Sequence, residues 1–150
     1  MINLNIGAGR DKREGYVNID YSLICKPDVV CNIEFDTLPC KDGEAKEILA
    51  NNVLEQISCP RNFVNVMNEL WRVCNEKGRL MIRVPNAENK YAFQDPMDVM
   101  RFTDESFTYM QKGNPRYEEY GVLYGFKPWK VEKIHCKNDN LLEFMLMPIK

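Results

Sequence analysis

LNIGAGRDKREGYVNID, residues 4 to 20, holds two short β-type runs separated by a glycine turn and a charged loop, and it ends on an acid. A strand, a glycine turn and a second strand with an acid at its carboxyl end is how a doubly wound α/β sheet begins at its ligand edge. Parallel strands are normally joined through a dozen or more residues, usually a helix. Gly7 to Gly15 is too short to hold one. Returning past a five-residue strand takes about 17 Å at roughly 3.3 Å per residue, within reach of a nearly extended loop. The expectation is therefore a bare-loop crossover between parallel strands, with an antiparallel hairpin as the alternative.

Outward from this stretch, Ile2 to Ile6, Tyr16 to Ile19, Asp28 to Cys31, Ala45 to Ala50 and Leu80 to Val84 are short apolar runs, most of them bounded by Gly, Pro, Asn or Asp. Continuous apolarity suits strands covered on both faces. Phe63, Val64, Met67, Leu70, Trp71 and Cys74 recur at helical spacing, with Ser58 as N-cap, Pro60 in the first turn and Gly78 past the end. A shorter helix is predicted from Asp104 to Lys112, with Phe107 and Met110 inward. "WKVEKIHC" and "NLLEFMLMPI" read as two late strands. The predicted fold is α/β: a Rossmann-like, mostly parallel sheet with an antiparallel edge strand, in a three-layer sandwich with reduced helices, as a single domain over residues 1–150.

Composition narrows the function classes. With 150 residues, 45% of them hydrophobic, and a net charge of −2, the chain has no basic field for nucleic-acid phosphates. No apolar run reaches the roughly 20 residues of a membrane span. The six cysteines are scattered without a CxxC pair and there is one histidine, so no metal site is expected and the thiols read as reduced, in a soluble cytoplasmic protein.

The glycine turn then discriminates between cofactors. A dinucleotide site needs a third glycine and a helix N-terminus to hold pyrophosphate. "GAGRDK" has Lys12 at that third position and no room for the helix. A cofactor with adenosine but no phosphate does not need that anion site, and S-adenosylmethionine is such a molecule. Gly7 and Gly9 allow close backbone approach, and Asp20 can accept from both ribose hydroxyls.

Taken in order, "LNIGAG", "GYVNID", "DVVCNIEFDTLPCKDGEAKEILANNVLEQI", "NELWRVCNEKGRLMIRVPN" and "AFQDPMDVMRFTDESF" resemble the class I S-adenosylmethionine-dependent methyltransferases. The likeness is to small type 11-like members with a shortened first crossover, and it extends to about Thr108. The resemblance implies that Gly7, Ala8 and Gly9 line the methionine moiety, that Asp20 holds the ribose with Tyr21 beside it, that Asn32 and Ile33 face the adenine edge, and that Asn51 and Asn52 border the methyl donor. The chain departs from the family where relatives commonly carry His at the positions of Asn52 and Gln56, Thr and His at those of Met97 and Asp98, and Asp at that of Asn32. Asp98 is the carboxylate left to serve as catalytic base.

The expected activity is methyl transfer from S-adenosylmethionine to an oxygen or nitrogen nucleophile of a small-molecule acceptor. The alternative is a catalytically inactive S-adenosylmethionine-binding module acting as a regulatory or partner subunit. A homodimer is compatible with either, and neither nucleic acid nor membrane is an expected partner.

Overall fold

Seven strands form one sheet in a computed structural model that describes residues 1–150. β1 (Ile2–Ile6), β2 (Val17–Asp20), β3 (Val29–Val30), β4 (Ala45–Asn51) and β5 (Cys74–Pro85) are parallel, and β7 (Leu141–Pro148) runs antiparallel between β5 and β6 (Trp129–Ile134). The order is β3-β2-β1-β4-β5-β7-β6. The chain therefore winds outward in both directions from β1 and β4, and the crevice beyond the carboxyl ends of these two strands is the topological switch point where such sheets bind ligands.

β1 and β2 pair parallel, with Leu4 opposite Val17 and Ile6 opposite Ile19, so the loop of residues 7–16 is a crossover and not a hairpin. Two buried asparagines hold it without a helix. Asn5 donates to the Asp11 carbonyl (2.8 Å) and to Asn18 Oδ1 (3.0 Å), which also accepts from the Arg13 backbone N–H (2.8 Å). Asn18 Nδ2 donates to the Arg13 and Tyr16 carbonyls and to Asp28. The amide groups do for the loop what a helix would do for itself: they satisfy buried backbone polar atoms. Asn18→Ala leaves several of these partners unmatched at once and is expected to cost about 2–4 kcal/mol of stability in denaturant titration. A cost under about 0.5 kcal/mol would show that the network does not carry the loop.

α1 (Pro60–Val73) buries Phe63, Val64, Val66, Met67, Leu70 and Val73 against the sheet. Its start and end differ from the sequence expectation. Cys59, not Ser58, is the N-cap residue and makes no side-chain cap bond, because Ser58 donates its backbone N–H and hydroxyl to Glu34 instead. The helix passes straight into β5 at Cys74, and Gly78 lies inside that strand. A Cβ at Gly78 would stand 2.9 Å from the carbonyl oxygens of Ala45 and Lys46, so its role is close strand approach and not helix termination.

Asp104 to Lys112 forms a 3₁₀ turn, Ser106–Met110, instead of an α-helix, with Phe107 and Met110 buried as expected. Phe63, Phe102, Phe107 and Phe144 stack in sequence at centroid distances of 5.6, 5.5 and 4.6 Å. That chain ties α1 and the segment after β5 to the same face of the sheet.

The opposite face carries no helix, so the predicted three layers are two. The crossovers β1 to β2 and β2 to β3 are too short to supply the missing layer. Leu49, Met81 and Met145 remain half-buried there, and cross-strand pairs Glu47–Arg79 and Arg83–Glu143 (2.6 Å) cover them. All six cysteines are free, with Cys31 and Cys74 buried. No helix is long and apolar enough to cross a membrane.

Candidate functional site

Gly7 and Gly9 both adopt left-handed backbone, φ +61° and +51°, which turns the chain sharply off β1. A side chain at Gly7 would collide with Val53, the residue that follows β4 across the switch point. Ala8 is buried and its N–H donates to the Ile19 carbonyl (3.0 Å). The turn thereby brings the Gly9 N–H to Asp20 Oδ2 at 2.8 Å, while the Ser22 N–H donates to Oδ1 at 2.8 Å. Asp20 is 7% exposed. Each of its oxygens has spent one acceptor site on the backbone and retains another.

Asp20 opens into a cleft of about 180 Å³ that it shares with Gly7, Tyr21, Asn32, Ile33 and Glu34. Val53, Ile57 and Met97 give it apolar walls, and no lysine or arginine lines it. Asn32 Oδ1 accepts from the Glu34 N–H (3.1 Å), and Asp36 accepts from the Asn32 N–H (2.8 Å), so the loop after β3 is tied to itself through Asn32. Glu34 pins that loop to the start of α1 through Ser58 N–H (2.8 Å) and Asn62 Nδ2 (2.7 Å). Burial pushes its carboxyl up, but the hydrogen bonds from Ser58 and Asn62 win and hold it below the usual range.

A second cavity adjoins the first through Gln56, which lines both. Asn52, at φ +52°, stands on its rim with its N–H donating to the Arg83 carbonyl (2.8 Å). Left-handed backbone at a residue other than glycine is strain of the kind that collects at functional sites. Asp98 is 8% exposed. Burial raises its pKa, with Asp95 adding to the effect and Gln56 opposing it. Gln56 Nε2 lies 3.4 Å from Asp98 Oδ1.

Of the residues singled out in the sequence, the structure thus brings Gly7, Asp20, Tyr21, Asn32 and Ile33 into one cleft and Asn52 and Asp98 into its neighbour. Ala8 and Gly9 shape the turn without lining the cleft. Asn51 lines a groove on the open sheet face, away from both. Sequence reasoning passed over Glu34, Val53, Ile57 and, above all, Glu55, which is 2% exposed at the adjoining cavity. Its carboxyl is pushed up to about 7 by burial, with the charges of Asp98 and Asp95 adding to it and its own backbone N–H opposing. The signal was available only as a glutamate set between Leu54 and Ile57, both of them buried.

No protein-family model matches the chain, and no curated protein matches it. Solved structures do. An S-adenosylmethionine-dependent methyltransferase from Archaeoglobus fulgidus superposes with TM-score 0.68 at 12% identity, over 96% of this chain and 84% of that one. The chain has the class I methyltransferase fold. The same methyltransferase fold is found in a putative methyltransferase from Haloferax volcanii in complex with the Trm112 methyltransferase activator (TM-score 0.61, 14% identity, 98% and 82% covered). It also occurs in 1,6-didemethyltoxoflavin-N1-methyltransferase from Burkholderia thailandensis with bound 1,6-didemethyltoxoflavin and S-adenosylhomocysteine (0.54, 15%, 97% and 68%). At these identities the likeness is one of fold, and the chemistry has to be argued from the site.

Proposed function

We propose that the chain binds S-adenosylmethionine and transfers its methyl group to an oxygen or nitrogen nucleophile of a small acceptor. The observation that carries this reading is the cleft at the switch point: a buried Asp20 with two free acceptor sites, apolar walls, and no cation for a phosphate. That lining suits a nucleoside without phosphates and disfavours a dinucleotide. Asp20 would accept from the ribose hydroxyls, Ile33, Val53, Ile57 and Met97 would cover the base, and the Gly7 to Gly9 turn would approach the methionine moiety. When bound, the cofactor supplies a methyl group already activated on a sulfonium. The chain's task is then to orient a nucleophile in line and take its proton. The carboxyls of Glu55 and Asp98 are the proton acceptors at hand, since His135, the single histidine, lines a separate groove. The free thiols fit a cytoplasmic location.

Calorimetric titration of the purified protein with S-adenosylhomocysteine, with NAD as control, tests the reading without knowledge of the acceptor. Binding of the former alone is the expected result, and NAD binding, or no binding of either, would overturn it. A binding subunit without turnover is the second reading. The lack of an imidazole at the site favours it, and the Haloferax volcanii neighbour's complex with an activator gives it a precedent in this fold. It predicts the same titration with no methyl transfer to any acceptor.

A further inference from the structure

Glu55 Oε2 has no hydrogen-bond partner although it is shut off from solvent. The residue sits in the 3₁₀ turn Leu54–Gln56, gripped from behind by the Val99 and Met100 N–H groups, which both donate to its backbone carbonyl (2.8 and 2.9 Å). Its cavity measures about 220 Å³ and is bordered by Asn52, Gln56, Tyr91, Asp95 and Asp98. None of the molecule's eight ion pairs includes Glu55, Asp95 or Asp98. Arg101, the cation on this segment, donates to the Asp98 backbone carbonyl (2.6 Å) and lies 4.5 Å over the Phe93 ring. The cavity therefore holds three carboxyls, none of them in an ion pair and one of them buried and orphaned. A buried carboxylate without a donor is costly, and a ligand carrying both N–H donors and positive charge removes that cost. A hydroxyl brings one donor; an alkylammonium brings three and the charge.

We propose that this cavity is the acceptor subsite and that it takes a small primary alkylammonium, with Glu55 accepting the proton that must leave nitrogen before methylation. The inference rests on the cofactor reading above, since Gln56 joins this cavity to the cleft. Proton transfer converts the ammonium to a neutral amine and Glu55 to a carboxylic acid. The freed nitrogen lone pair forms the N–C bond while the C–S bonding pair stays on sulfur. The product keeps the positive charge as a methylammonium, and Glu55 later returns its proton to water. Burial holds the Glu55 carboxyl near neutrality, where a general base exchanges protons most effectively. The charged groups on the elements packed around it are Asp95 and Asp98, which add to that shift, and Arg101, which bonds the Asp98 carbonyl and whose charge acts on Asp98 in the opposite sense.

The test is a carbon-13 NMR pH titration of protein labelled in its glutamate carboxyls, with Glu55 assigned by Glu55→Gln. It is run alone, with n-butylammonium and with n-butanol. The ammonium is expected to lower the Glu55 midpoint by about one pH unit, the linkage expected of a tenfold preference for the ionised form, and the alcohol is expected to leave it in place. Affinity for n-butylammonium, measured by calorimetry, should fall about tenfold in Glu55→Gln, and more in Glu55→Gln with Asp98→Asn. A midpoint that ignores the ammonium, or that moves equally with the alcohol, overturns the proposal. S-adenosylhomocysteine titrated into the same samples reads the cofactor site independently. Its binding should be unchanged in Glu55→Gln. Failure of that binding with an intact ammonium response would overturn the cofactor reading and the acceptor role, while leaving the cation site standing.

Discussion

Asp20→Ala is expected to weaken S-adenosylhomocysteine binding by at least a hundredfold. Two ribose hydroxyls donating to an ionised carboxylate make charge-assisted hydrogen bonds worth about 1.5–3 kcal/mol each. Their joint loss, at about 1.4 kcal/mol per factor of ten, corresponds to roughly two to four decades of affinity. The same carboxylate accepts from Gly9 and Ser22, so removing it also strips partners from two backbone amides and loosens the turn after β1. Asp20→Asn tests both effects in part. Its carbonyl keeps one of the two backbone bonds and can accept one hydroxyl, while its amide faces the other backbone N–H as a second donor, so affinity and thermal midpoint should both fall, each by less than in Asp20→Ala. Full-strength binding by both variants would remove Asp20 from the site.

The short crossover and the chemistry it favours were legible because both depend on local facts: nine residues from Gly7 to Gly15, Lys12 where a third glycine would stand, and an acid at the end of the second strand. The absence of a helix layer on one face was legible in the same loop lengths, since neither the β1 to β2 nor the β2 to β3 crossover has room for an α-helix. Asn5 and Asn18 were hidden for a different reason. A polar residue inside a strand gives no sign of whether it faces water or a loop folded over it, and here the loop of residues 7–16 decides. Ser58 had the right chemistry for a cap, yet a glutamate 24 residues away competes for its hydroxyl. Glu55 was the deepest miss. In "NNVLEQI" the departures from the family pattern fall at Asn52 and Gln56, where relatives commonly carry histidine. The burial of Glu55 comes from residues 95–100 folding back onto it, a contact across more than forty residues that no local period reports.

Glu55→Gln is expected to stabilise the protein in alkali and to leave it unchanged in acid. A carboxyl that ionises at 4.5 when exposed and at about 7 in the folded state is held in its protonated form by folding. The stability it allows is fully present below the unfolded value and is lost as pH rises through the folded one. At pH about 8 to 9 the loss is about 3 kcal/mol, counting about 1.4 kcal/mol for each pH unit between the two values. For a chain of this size that corresponds to roughly 6–12 °C in thermal midpoint. Melting curves of parent and Glu55→Gln should therefore coincide near pH 4 and diverge above neutrality, with the variant higher. Asp98, whose pKa is raised in the same direction, contributes a second slope that Asp98→Asn removes. Curves that stay parallel at every pH would mean that the Glu55 carboxyl is well solvated, and the charged cavity would lose its basis. A glutamine would fill the same space without the ionisation cost. A cation that pairs with the ionised carboxyl gives some of that stability back: n-butylammonium should raise the parent's midpoint at pH about 8 and raise that of Glu55→Gln by less.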